Sequence, residues 1–147
     1  MRSFFKFAAA SAVVAASLAV AAPASAAVVI KPVESGVFTL GNPIGTIAGI
    51  KVSTGNTYDF TFTLGGTYDV IMQMQATMFK LGAQIIDFTL YSGVPSSGVA
   101  LGSSPLQTGT ALERVLGPGS YYLQVNTIAL DKELVSGSIS LCSADCQ

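Results

Sequence analysis

The sequence predicts an all-β protein, an antiparallel β-sandwich of jelly-roll-like form with about eight strands, and three observations carry that prediction. Strict alternation of apolar and polar residues recurs along the chain, which puts the apolar side chains on one face of an extended strand. Clusters of Gly, Pro, Asn and Ser separate these runs at short intervals, as turns between strands require. No amphipathic helical period follows residue 26, so packing sheet on sheet is the way left to bury the apolar faces.

Residues 1–26 stand apart from the pattern. Arg2 and Lys6 open it with positive charge, Ala8 to Ala22 is an uncharged, mainly apolar run, and Ala24-Ser25-Ala26 has the small-x-small form of a cleavage site. This reads as a secretory signal peptide removed after Ala26. The apolar run is shorter than the roughly 20 residues that cross a bilayer, and Pro23 ends it, so no membrane span is expected in the mature chain. Residues 27–147 then form a single β-sandwich domain, secreted, extracellular or periplasmic.

Val28 to Ile30 and Val37 to Leu40, parted by Pro32 and Gly36, read as an edge strand broken by a bend. Gly41-Asn42-Pro43 ends it, and Ile47 to Val52 is a weaker strand leading into the turn Ser53-Thr54-Gly55. The longest alternation follows. Tyr58, Phe60, Phe62 and Leu64 share one face, and after Gly65-Gly66 so do Tyr68, Val70, Met72, Met74, Ala76 and Met78. If these two strands are hydrogen-bonded neighbours, parity requires a three-residue loop, Gly65-Gly66-Thr67, that pairs Leu64 with Tyr68 and Phe62 with Val70. The hairpin is the preferred reading, and an arch between two sheets is the alternative. Lys80-Leu81-Gly82 closes the second strand, and Ile85 to Tyr91 alternates again. Ser92 to Gly109 reads as a surface loop with a short strand at Val99 to Leu101. Ala111 to Leu116 and Ser120 to Thr127 are strands around Gly117-Pro118-Gly119, Asp131-Lys132-Glu133 marks a loop, and Val135 to Leu141 is the closing strand. The unit Gly55-Asn56-Thr57-Tyr58-Asp59 recurs as Gly65-Gly66-Thr67-Tyr68-Asp69, a spacing too short for a repeat architecture and suited to turn and strand-start chemistry.

Asn56 to Leu64, Ile86-Asp87-Phe88-Thr89-Leu90, the run Leu116 to Val125 and the Ser-Gly-Ser closing strand, in that order, resemble two groups of bacterial secreted β-domains. One is the FxDxF-type exported proteins associated with PEP-CTERM sorting signals. The other is the pre-peptidase C-terminal type of β-sandwich. The resemblance implies a non-catalytic secreted or cell-surface protein of the extracellular matrix or envelope. Tyr58-Asp59-Phe60-Thr61-Phe62 departs from the F-x-D-x-F spacing, and Cys142 to Gln147 carries no sorting tail, so retention by that route is not expected.

Composition narrows the chemistry. The sequence contains no histidine, which removes Ser-His-Asp and Cys-His catalysis and histidine metal ligation. After residue 26, five basic residues stand against eight acidic ones, a formal charge of −3 that offers no basic patch for nucleic acid. Asp59, Asp69, Asp87 and Glu113 are the carboxylates a hydrolase would draw on, but each falls on the polar side of a strand or beside a turn, where solvated acids are the rule. The three aspartates lack the spacing of a calcium loop, and no metal or cofactor is expected. Cys142 and Cys146 are expected to form a small disulfide in an oxidising compartment. Tyr122, Gln124 and Asn126, with Tyr91 near them, form an outward aromatic and amide row suited to an extracellular polysaccharide or cell-surface partner. The reading is therefore of a binding protein and not an enzyme, with a carbohydrate-binding module or a carboxylate- or metal-dependent hydrolase as the alternatives.

Overall fold

A computed structural model describes residues 27–53, 55–78, 82–85, 87–103, 111–126 and 134–142. The expected signal peptide, the Lys80-Leu81 turn, the Asp131-Lys132-Glu133 loop and Cys146 lie outside them. No helix among the described residues is long and apolar enough to cross a membrane.

Among the described residues ten strands form two facing sheets, a β-sandwich with more strands than the sequence suggested. The first sheet has the order β1 (Val28–Phe38), β3 (Thr57–Leu64), β9 (Gly119–Asn126), β6 (Thr89–Ser92) and β7 (Val99–Ser103). In the second, β2 (Ile44–Lys51) pairs β10 (Leu134–Cys142), which pairs β4 (Tyr68–Met78). The far edge of β4 is shared: β8 (Leu112–Leu116) lies along Tyr68 to Met72, and β5 (Gly82–Ile85) along Gln75 to Met78. All described pairings are antiparallel except β1 with β3, which run parallel.

The long alternation has the faces predicted for it and a different partner. Tyr58, Phe60, Phe62 and Leu64 are buried, as are Val70, Met72, Met74 and Ala76. Yet β3 pairs with β1 and β9 in one sheet, and β4 with β10, β5 and β8 in the other, so Gly65-Gly66-Thr67 is an arch across the sandwich and not a hairpin. Parity could not separate the two, because an apolar face is equally well buried beside its neighbour or opposite it. The Gly65 amide donates to the Phe38 carbonyl at 2.9 Å and ties the arch to the end of β1. The same correction applies to Ile85 to Tyr91, where β5 ends in the second sheet and β6 begins in the first. Gly117-Pro118 likewise carries the chain from β8 in one sheet to β9 in the other.

Between the sheets lie Phe38, Phe60, Met72, Leu90, Leu123 and Ile139, all fully enclosed. Phe62 stacks on Tyr121 with centroids 5.7 Å apart and meets Phe38 edge-on at 6.1 Å. Among the described strands, register shifts deform three pairings: β1 with β3, β2 with β10, and β6 with β7 between Leu90 and Tyr91. The β1 register shifts between Pro32 and Val37, the bend read from the sequence. In β2 the register shifts between Ile47 and Ile50, opposite Gly137 and Val135, a bulge that puts two residues, Ala48 and Gly49, against Ser136 alone. It also explains why Ile47 and Val52, of opposite parity, are both buried.

Candidate functional site

The outer face of the first sheet is a lattice of transverse rows set by strand register. One row runs Ile30, Asp59, Gln124, Thr89, Ser103, and the next Pro32, Thr61, Tyr122, Tyr91, Ala100. This brings the expected Tyr122, Gln124 and Asn126 to one face of β9, but not as an exposed row. Tyr122 is only 2% exposed. Its ring stacks on Tyr91 at 4.9 Å and 4°, and Gly98 in the link from β6 to β7 lies over it, so close that a Cβ there would come within 2.6 Å of the ring. Burial raises the Tyr122 phenol above its ordinary range, a hydrogen bond with the Gly98 backbone pulls it back, and the charges of Asp59 and Tyr91 raise it further. Gln124 is half-buried, and Asn126 is exposed. The ring face that a sugar would stack on is taken by Tyr91 and the link above it.

Asp59 also departs from the expectation of a solvated acid. It is 1% exposed, Gln124 Nε2 donates to its Oδ1 at 3.0 Å, and Oδ2 is buried with no partner among the described residues. Burial pushes the carboxyl above the usual aspartate range, against the Gln124 hydrogen bond. A raised acid in the folded state stabilises below its unfolded pKa, and that stability is lost as pH rises through the folded value. Asp59→Asn, which keeps an acceptor for Gln124, is therefore expected to raise the urea midpoint at pH 7 and to lose that advantage in acid. Parallel denaturation curves at the two pH values measure it. The local sequence hid this position, since alternation marks Asp59 as outward but cannot report what covers the outer face.

The other acids lie elsewhere. Asp69 and Glu113 meet on the outer face of the second sheet, across β4 and β8; a hydrogen bond that protonated Glu113 donates to the Asp69 carboxylate, then the Asp69 charge, then burial raise the Glu113 carboxyl. Asp87 is exposed between β5 and β6. Asp59, Asp69 and Asp87 thus share no centre, and the described residues hold no cluster of three or more acidic or cysteine side chains able to take a metal. Cys142 ends β10, and no cysteine among the described residues is free.

Two concavities among the described residues bear on binding. A groove of about 360 Å³ opens where β1 bends away from β3, with Pro32, Val37, Phe62, Val94 and Tyr121 in its walls. A hollow of about 510 Å³ lies over β2, β10 and β4, bordered by Thr46, Gly49, Gln73, Gln75, Ser136 and Ser138. Among the described residues, neither is lined by a charged side chain. The sequence singled out neither, because each depends on a register shift or on strands distant in the chain.

No family model matches the chain, and no curated protein matches it. Among solved structures it is similar to PliG, a periplasmic lysozyme inhibitor of g-type lysozyme from Aeromonas hydrophila, with a TM-score of 0.54 and 14% identity over 81% of this chain and 100% of that one. It is also similar to the pre-peptidase C-terminal domain of a collagenase from Bacillus anthracis, with a TM-score of 0.46 and 13% identity over 82% of this chain and 100% of that one. At such identity the first likeness shows a common β-sandwich fold. None of these matches bears on the FxDxF and PEP-CTERM resemblance.

Proposed function

We propose that this is a non-catalytic exported β-domain that works by binding a partner in the envelope or outside the cell. One observation carries the reading: among the described residues Asp59 and the Asp69 and Glu113 pair lie on the outer faces of different sheets, while the groove and the hollow are lined by uncharged groups. Acid-base catalysis needs its acids to converge where a substrate can sit. The fold is compatible with pure binding, since PliG is by its description an inhibitor of another protein. Export rests on the leader read at 1–26, and it implies that Cys142 pairs with Cys146. Protein recovered from the periplasm or medium should have the intact mass of residues 27–147, and alkylation of the unfolded, unreduced material should label neither cysteine. A product still carrying Met1, or two labelled thiols, would contradict export as described.

The test of the main reading is incubation of the purified protein with polysaccharide and peptide panels, with and without calcium, where no release of sugars or peptides is expected. A second reading, carboxylate-dependent hydrolysis, is favoured by the Asp69 and Glu113 contact alone. Release of product that disappears in Glu113→Gln would establish it in place of the first.

A further inference from the structure

We propose that the outer face of the second sheet carries a binding site for a neutral glycan chain, seated in the hollow around Gly49, Gln73 and Ser136. The inference rests on the binding reading above and gives it a site and a ligand class. Its borders come from register. Ser138 pairs with Thr46 on one side and Gln73 on the other, and Ser136 pairs with Gln75, so these side chains share one face of the sheet. Val135, Ile139, Met72 and Met74 are buried on the opposite face, which makes this face the outer one. Strand geometry then spaces the polar groups about 4.8 Å apart across the sheet and about 7 Å along it.

The hollow itself comes from local deformation. The β2 bulge places Ala48 and Gly49 opposite Ser136, and Gly49 carries no side chain to fill the space. Glycine inside a strand often marks a bulge or a place where another group comes close to the backbone. Gln73 and Gln75 are exposed beside this floor, and the bond from Gln75 Nε2 to Ser136 Oγ is long, 3.5 Å, so a ligand can replace it at little cost.

The ligand class follows by chemistry. An anionic chain would require Lys or Arg, and none is among the described residues that line the hollow. An apolar ligand would leave the amides and hydroxyls without partners. Gln side chains and Ser or Thr hydroxyls each donate and accept, which is what the hydroxyls of a neutral sugar need. At the β2 margin Glu34 accepts a hydrogen bond from the Thr46 hydroxyl, adding a further acceptor and disfavouring anions. The site is open and has no aromatic platform among the described residues, so a dissociation constant of about 1 mM is expected.

The experiment is an amide NMR titration of the full exported chain with three neutral probes, cellohexaose, maltohexaose and chitohexaose, and with an anionic one, oligogalacturonate. Shifts from at least one neutral probe should cluster on Thr46, Gln73, Gln75, Ser136 and Ser138. The Gln73→Ala, Gln75→Ala double variant, both positions being exposed, should keep the wild-type urea midpoint and bind about fivefold more weakly. Asn126→Ala, on the other sheet, should leave binding unchanged. The site is overturned if no neutral probe shifts this face at about 10 mM, if oligogalacturonate alone does so, or if Asn126→Ala is the variant that weakens binding. Any of these leaves the binding reading standing, whereas shortening of a probe during the titration would overturn that reading and spare the site.

Discussion

Phe60→Asp is expected to lower the unfolding free energy by about 3–5 kcal/mol, whereas Thr61→Asp, one residue on, should change it by no more than about 1 kcal/mol. Phe60 is fully enclosed, so the change removes a core aromatic and strands a carboxylate among Met72, Leu123 and their neighbours. Thr61 lies on the outer face, half-buried, between Pro32 and Tyr122 in its row. A new acid there keeps access to water, although Asp59, two residues away on the same face, opposes it. Urea denaturation of both variants reads the contrast, and equal midpoints would show that the two faces of β3 have been assigned wrongly.

Gly137→Val should cost about 3 kcal/mol, near the upper end of what overpacking does. A Cβ at Gly137 would lie 2.3 Å from the Gln73 carbonyl oxygen and 2.6 Å from Met74 Sδ. The methionine can move, but the carbonyl belongs to the neighbouring strand of a central pair, so β10 and β4 would have to separate. Gly36→Ala is the control. Nothing lies within 4 Å of a Cβ there and its backbone is not in the left-handed region, so the loss of freedom in the unfolded chain should make it neutral or stabilising by about 0.5 kcal/mol. Thermal and urea midpoints for the pair provide the check, and a Gly137→Val protein as stable as Gly36→Ala would refute the close β10 and β4 approach.

Alternation along the chain determined which side chains enter the core. Tyr58 to Leu64 and Val70 to Ala76 are buried in the alternate pattern their order dictates, because each residue in a strand points opposite to the last whatever the strand pairs with. The same rule made the sandwich class legible, since one-sided strands must bury their apolar faces against a second layer. Absence of histidine likewise settled, without any structure, which catalytic arrangements this chain cannot build.

Partnership was a tertiary decision. Whether Gly65-Gly66-Thr67 turned back on its own sheet or crossed to the other depended on strands far away, β9 taking the free edge of β3 and β10 that of β4. Outer faces were equally beyond the local pattern. Asp59 and Tyr122 have the alternation of exposed residues, and only the Gln124 contact, the Tyr91 stack and the link at Gly98 bury them. Period two says which way a side chain points, but what lies above it is set by chain that returns from dozens of residues away.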